Sequence, residues 1–198
     1  MKSQFSLNKI EVGCDEAGRG CLAGPVFAAA VVLDESFEND WINDSKKLTE
    51  KKRNELRSVI EKHALAWSVA FVDVNEIDEI NILNASILAM HRALDALVID
   101  FEHIAVDGNR FKDYKNIEST CIIKGDAKFQ NIAAASILAK TYRDDYMKNI
   151  HEEFPAYNWS KNKGYPTKEH RSAIEELGPC KYHRLSFSLL PKQVKLDL

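Results

Sequence analysis

The chain has 198 residues, 45% of them hydrophobic and 29% charged, the profile of an ordinary globular protein long enough to bury a core. Its longest apolar run, Val26 to Leu33, is too short to span a bilayer, and no signal-peptide apolar region precedes the first acidic residues, so the expected location is the cytoplasm. With 27 Lys and Arg against 30 Asp and Glu the net charge is −3, which excludes a globally basic nucleic-acid binder and leaves any such contact to a local surface.

Ile10 to Cys14 reads as a short strand running into a Gly-rich turn, and Val26 to Leu33, apolar and β-branched, as a buried strand. Thr49 is placed to cap a helix that extends to about His63, with Leu56, Val59 and Ile60 on one face. Trp67 to Val74 alternates as a strand and is followed by an amphipathic helix from about Asn84 to Leu97. His103 to Val106 and Thr120 to Ile123 are short strands, each ending just before an acidic residue or a turn that leads to one. A long helix is expected near Gln130 to Phe154, with the small residues Ala133, Ala134, Ala135, Ser136 and Ala139 suited to close packing on a sheet. A last helix, Thr167 to Leu177, starts after Pro166 and stops at Gly178. No repeat, low-complexity run or linker divides the chain, so residues 1–198 are expected to form one α/β domain, a mixed sheet flanked by helices.

Gly13-Cys14-Asp15-Glu16-Ala17-Gly18-Arg19-Gly20 carries the densest chemistry. Adjacent carboxylates repel unless a cation neutralises them, and on a strand they point to opposite faces unless the backbone turns. An acidic pair in a Gly-rich turn is equally a solvated loop. Asp107 and Asp126, each beside a glycine after a predicted strand, bring further acids to the sheet edge where α/β proteins place their sites. Four carboxylates suit hard cations such as Mg²⁺ or Mn²⁺, and two such ions roughly 3.5–4 Å apart serve phosphodiester hydrolysis. Cys14, Cys21, Cys121 and Cys180 have no zinc-ligand spacing and read as packed thiols, with a Cys14–Cys21 disulfide as the alternative.

Asp15-Glu16-Ala17-Gly18-Arg19-Gly20 with Leu22-Ala23-Gly24-Pro25-Val26 resembles the opening motif of ribonuclease HII, the type 2 ribonuclease H family. Asp44-Ser45-Lys46-Lys47-Leu48, Val106-Asp107-Gly108-Asn109 and Lys124-Gly125-Asp126-Ala127-Lys128 match in the same order. So do the stretch from Ile132 to Lys140, Lys163-Gly164-Tyr165-Pro166-Thr167 and His183-Arg184-Leu185-Ser186-Phe187.

The resemblance implies a ribonuclease H-like core over about residues 10–150 and a helical substrate-binding extension over about 151–198. It implies two-metal hydrolysis of the RNA strand of RNA–DNA hybrids, and cutting 5′ of ribonucleotides embedded in duplex DNA, as in ribonucleotide excision repair. Metal ligands fall on Asp15, Glu16, Asp107 and Asp126, the 2′-OH reader on Gly18, Arg19 and Gly20, and a sugar-sensing aromatic on Tyr165. Lys47, with Lys46, Lys124 and Lys128, is placed to contact phosphates, and a basic cluster of Lys161, Lys163, Lys168 and Arg171 surrounds Tyr165. A monomer without membrane contact is implied.

Phe129-Gln130-Asn131 and Tyr142 depart from the pattern without touching a carboxylate. Ribonuclease HIII, the nearest enzymatic rival, adds an N-terminal domain for which the residues before the first strand leave no room, and carries Glu where this chain has Asp126. A catalytically silent hybrid-binding module is a rival of another class, though all four carboxylates are present. His170 and His183 read as structural, no paired-histidine chemistry being suggested. Residues 193–198 loosely resemble peptides that dock on sliding clamps, and equally a frayed terminus.

Overall fold

The computed structural model describes residues 1–6, 8–37, 39–42 and 45–191; Asp44 and the 193–198 tail lie outside the described residues. Five strands, β1 (Glu11–Ala17), β2 (Val26–Val32), β3 (Ala66–Val72), β4 (His103–Asp107) and β5 (Glu118–Ile122), form one mixed sheet in the order β3-β2-β1-β4-β5. β1, β2 and β3 pair antiparallel, whereas β4 lies parallel to both β1 and β5. The helices are α1 (Glu50–His63), α2 (Val74–Asp95), α3 (Gln130–Glu153), α4 (Trp159–Asn162) and α5 (Lys168–Leu177). None among the described residues is long and apolar enough to cross a membrane.

Local chemistry explains most boundaries. Thr49 and Thr167 accept main-chain N–H bonds from Lys52 and His170, so α1 and α5 start where a hydroxyl replaces the missing helical acceptor. The alternating strand expected to reach Val74 stops at Val72, because Asp73 caps a new helix by accepting from Glu76 N. That helix kinks at Asn81 (φ 66°), whose side chain accepts from Leu83 N and Asn84 N and starts the second half, the part its amphipathic pattern predicts. β1 runs three residues further than expected, through Asp15, Glu16 and Ala17, because β2 continues to pair with it as far as Ala17↔Phe27.

α2 packs on one face of the sheet around Met90, Leu94, Ile104 and Val106, while α3 covers the other with Ala133, Ala134, Ala135 and Ala139 fully buried. Small side chains let α3 lie close to β1, and the limit is reached at Gly13. A Cβ there would stand 2.4 Å from the Asn131 carbonyl carbon and 2.5 Å from Ile132 N. Glu11 anchors this end of α3, accepting hydrogen bonds from Asn131 Nδ2, the amides of Phe5 and Ser6, and His103 Nδ1.

The departures noted in sequence have roles here. Gln130 Oε1 accepts from Asn39 N, and Tyr142 lies under the Arg57 guanidinium at 3.7 Å while donating to Glu61. A third cluster, built on Trp159 with Tyr157, Met147 and Ile174, joins α4 and α5 to the loop at Leu22 and Ala23. All four cysteines are free thiols, so the Cys14–Cys21 alternative is not realised. Gly13→Ala should cost about 1–3 kcal/mol by overpacking backbone against backbone, read as a lower midpoint in denaturant at unchanged slope.

Candidate active site

Pairing between β1 and β4 ends at Cys14↔Val106, one residue before Asp15 and Asp107. The two strands separate there, and Asp15, Glu16 and Asp107 share the opening although β1 does not turn. Asp15 is 4% exposed and accepts from Glu16 N at 2.7 Å and from the Ser136 side chain of α3. Asp107 Oδ1 accepts from Gly125 N at 2.7 Å, so the short turn Gly125–Ala127 that carries buried Asp126 is tied to the end of β4. Glu16 accepts from Arg19 Nη1 at 3.1 Å.

Burial raises the Asp15 carboxyl well above the usual carboxylate range, and the charges of Glu16 and Asp107 raise it further. Burial raises Glu16 too, with Asp107 adding to the effect and Arg19 opposing it. These three acids occupy one field. Asp126 stands on the adjoining turn, and among the described residues no three acidic, His or Cys side chains stand close enough together to hold a metal ion as they lie. The donors are all oxygen, buried at Asp15 and Asp126 and partly buried at Glu16 and Asp107, with Arg19 the nearby counter-charge; oxygen donors of this kind suit a hard divalent cation.

A cavity of about 360 Å³ adjoins the acids. Gly18, Arg19 and Gly20 line one part of it, Ser45 and Lys46 another, and Ser136 and Lys140 of α3 a third, with Tyr165 closing the set. Lys47 is exposed on the same short turn as Lys46. Gly18 (φ 97°) has no room for a side chain, since a Cβ would lie 2.0 Å from Arg143 Nε. Arg143 is fully buried and donates to the carbonyls of Pro25, Ala23 and Lys163 at 2.9–3.1 Å. Arg184, also fully buried, donates to Gly24 O and to Arg19 O at 3.0 Å. Leu22 N donates to Gly164 O at 2.8 Å. The glycine-rich loop and the Tyr165 loop are therefore tied to each other by the Leu22–Gly164 main-chain bond and the Arg143 guanidinium, while Arg184 pins the two ends of the glycine-rich loop together.

Sequence reasoning missed Ser136 and Lys140, although four-residue spacing puts both on one helical face, and it missed the two arginines, which no local pattern marks. It also overcounted the basic cluster around Tyr165. The Lys163 ammonium is turned inward onto Ser160 O, and Arg171 donates to the carbonyls of Ser188 and Leu189; Lys161 and Lys168 stay exposed. Lys128 is bonded to Ile123 O at 2.8 Å. His170 and His183 do come together, Nε2 to Nε2 at 3.2 Å, but fully inside the fold. His170 Nδ1 contacts Tyr165 O at 2.9 Å while Trp159 donates to its Nε2. Burial keeps both rings neutral, lowering His183 to about 4. Their work is to hold the Tyr165 loop.

Because the Asp15 carboxyl is raised in the folded state, its contribution to stability is present at low pH and lost as pH rises through the folded-state value. Metal-free Asp15→Asn should therefore melt several degrees above the parent at pH 7.5, at about 2–4 °C per kcal/mol for a chain of this length, with the amide still accepting both hydrogen bonds. The difference should vanish near the ordinary Asp value of 3.8, and calorimetry in a chelator across that range checks it.

A family model described as Ribonuclease HII matches residues 12–190. The Ribonuclease HII of Christiangramia forsetii is 66% identical over 194 residues, covering 98% of each chain. Among solved structures, the ribonuclease H2 of Pyrococcus horikoshii OT3 is similar with a TM-score of 0.75 at 26% identity, over 90% of this chain and 94% of that one. The ribonuclease HII in the PCNA:RNase HII complex of Archaeoglobus fulgidus is similar with a TM-score of 0.74 at 25% identity, over 94% and 98%. Near full-length identity at this level, on a matching mixed sheet with the acids at its open edge, has one reading: the chain belongs to the ribonuclease HII family of hydrolytic endoribonucleases.

Proposed function

We propose that this chain hydrolyses the RNA strand of RNA–DNA hybrids and cuts on the 5′ side of ribonucleotides embedded in duplex DNA, leaving 5′-phosphate and 3′-OH ends. The observation that carries the reading is the placement of buried Asp15 with partly buried Glu16 and Asp107, three like charges in one field, beside a cavity lined by Gly18, Arg19, Gly20 and Tyr165. Asp15, Glu16, Asp107 and Asp126 would hold the metal, Mn²⁺ or Mg²⁺. A pair of such ions supplies, when bound, Lewis acidity at the scissile phosphate and its attacking water.

The rest is the work of the chain. Main chain at Gly18 to Gly20 approaches the ribose closely enough to read its 2′-OH, the group that distinguishes RNA from DNA. Tyr165 lies against the sugar that follows, held from behind by His170. Lys46 at the cavity and Lys47 on the same turn meet backbone phosphates, which makes binding salt-dependent. Arg143, bonded to both loops, and Arg184, which pins the glycine-rich one, support a fixed spacing between ribose reader and sugar sensor.

We assign residues 10–150 to the catalytic core and 151–198 to a helical substrate-binding extension of one monomeric, cytoplasmic protein. A sliding-clamp contact through residues 193–198 finds support in the archaeal relative's complex with PCNA. Deleting those six residues should abolish clamp binding in a pull-down while cleavage is unchanged; undiminished binding removes the idea.

The decisive assay is one gel, with a DNA duplex carrying a single ribonucleotide run beside an RNA–DNA hybrid, each with Mg²⁺ or Mn²⁺. Cleavage 5′ of the ribonucleotide is expected. Asp15→Asn and Asp107→Asn should each lower the rate by at least about 10²–10³-fold while hybrid binding persists. Undiminished cutting by either variant rejects the metal assignment.

A further inference from the structure

A second cavity, of about 230 Å³, lies against the same acids. Glu16 and Arg19 line both cavities, so the two flank the carboxylates rather than merge. The first holds Tyr165; the second has Leu83, Ile87 and Met90 of α2 on its apolar side and Asp107, Asn109 and Arg110 on its polar side. Gly108, at φ 106°, turns the chain sharply after Asp107 and brings the next two side chains to the rim. Arg110 is exposed, and no hydrogen bond or ion pair engages it among the described residues.

We propose that this second cavity receives the nucleotide immediately 5′ of the cut, its sugar against the α2 side chains and its own 5′ phosphate on Arg110. The inference rests on the proposed function, which orders the strand. Tyr165 takes the sugar after the ribonucleotide, Gly18 to Gly20 the ribonucleotide, and the carboxylates the phosphate 5′ of it. Continuing in the same direction, the strand enters the second cavity.

Charge sets the orientation inside it. Glu16 and Asp107 repel a phosphate at their end but suit the 3′ oxygen, which leaves with a proton when the P–O3′ bond breaks and water oxygen bonds to phosphorus. Arg110, the exposed cation that lines the same polar wall, suits the phosphate through charge-assisted hydrogen bonds. The volume lies below the roughly 300–1,000 Å³ of sites for drug-sized ligands, which fits one sugar–phosphate unit better than a free small molecule.

The test uses the intact protein and a duplex with one ribonucleotide, made either with natural phosphates or with a single neutral methylphosphonate at the 5′ phosphate of the nucleotide preceding the ribonucleotide. For the parent, the neutral linkage should lower kcat/KM by about tenfold, the worth of one charge-assisted hydrogen bond. Arg110→Gln, a surface change that should leave the melting temperature unaltered, should show the same loss on natural duplex and no further loss on the neutral one. Indifference of the parent to the neutral linkage, or equal sensitivity in parent and Arg110→Gln, overturns the subsite. Failure of the parent to cut the natural duplex 5′ of the ribonucleotide would instead overturn the proposed function, so the two failures are distinct.

Discussion

α3 can lie across β1 only because nothing projects between them. Gly13 on the strand and Ala133, Ala134 and Ala135 on the helix leave backbone facing backbone, at a separation that one added methyl group would violate. The rest of the site follows from that contact. It brings Ser136 to Asp15, sets Lys140 one turn further along the cavity, and delivers Arg143 beneath Gly18. A larger residue at Gly13 would lift the helix and move the Ser136 hydroxyl, the Lys140 ammonium and the Arg143 guanidinium together, because one rigid element carries all three.

The site joins two costly electrostatic arrangements. On one side, burial and the neighbouring charges of Glu16 and Asp107 raise the proton affinity of Asp15, and burial with Asp107 raises that of Glu16. On the other, Arg143 and Arg184 are buried among main-chain carbonyls, and burial lowers Arg184 to about 10. Carbonyl dipoles satisfy the guanidinium donors without neutralising the acids, so the negative field at the sheet edge is left for a cation. Packing against a carbonyl also fixes a loop where a salt bridge would fix only a side chain. The glycine-rich loop and the Tyr165 loop are both held this way, and the histidine pair behind Tyr165 extends the same device into α5.

Much of this was legible in the chain itself. The apolar run at β2, the caps at Thr49 and Thr167, and the small-residue face of α3 are local patterns with local causes, and each element formed where its pattern placed it. The extra length of β1 was not, because glycines at 18 and 20 signal a turn, whereas the strand's end is decided by how far β2 keeps pairing. Val74, the first residue of α2, reads as strand for a related reason: Val72 and Val74 continue an alternation that the Asp73 cap interrupts, and the turns between Val74 and Asn84 carry no assignment in sequence.

By itself the sequence determined the chemistry: which acids exist, that they lie at or just past strand ends, and that glycines stand near them. It could not decide which cations remain available, since Lys163 and Arg171 read as surface charge until folding turned them onto carbonyls. Nor could it show that Asp15 and Glu16, on opposite faces of a straight strand, open onto one site. That depends on β4 parting from β1 after Cys14, on α3 supplying Ser136, and on Arg143 and Arg184 closing two distant loops over a shared cavity. Most of these contacts join residues far apart in the chain, set by packing geometry, and no neighbouring residue encodes them.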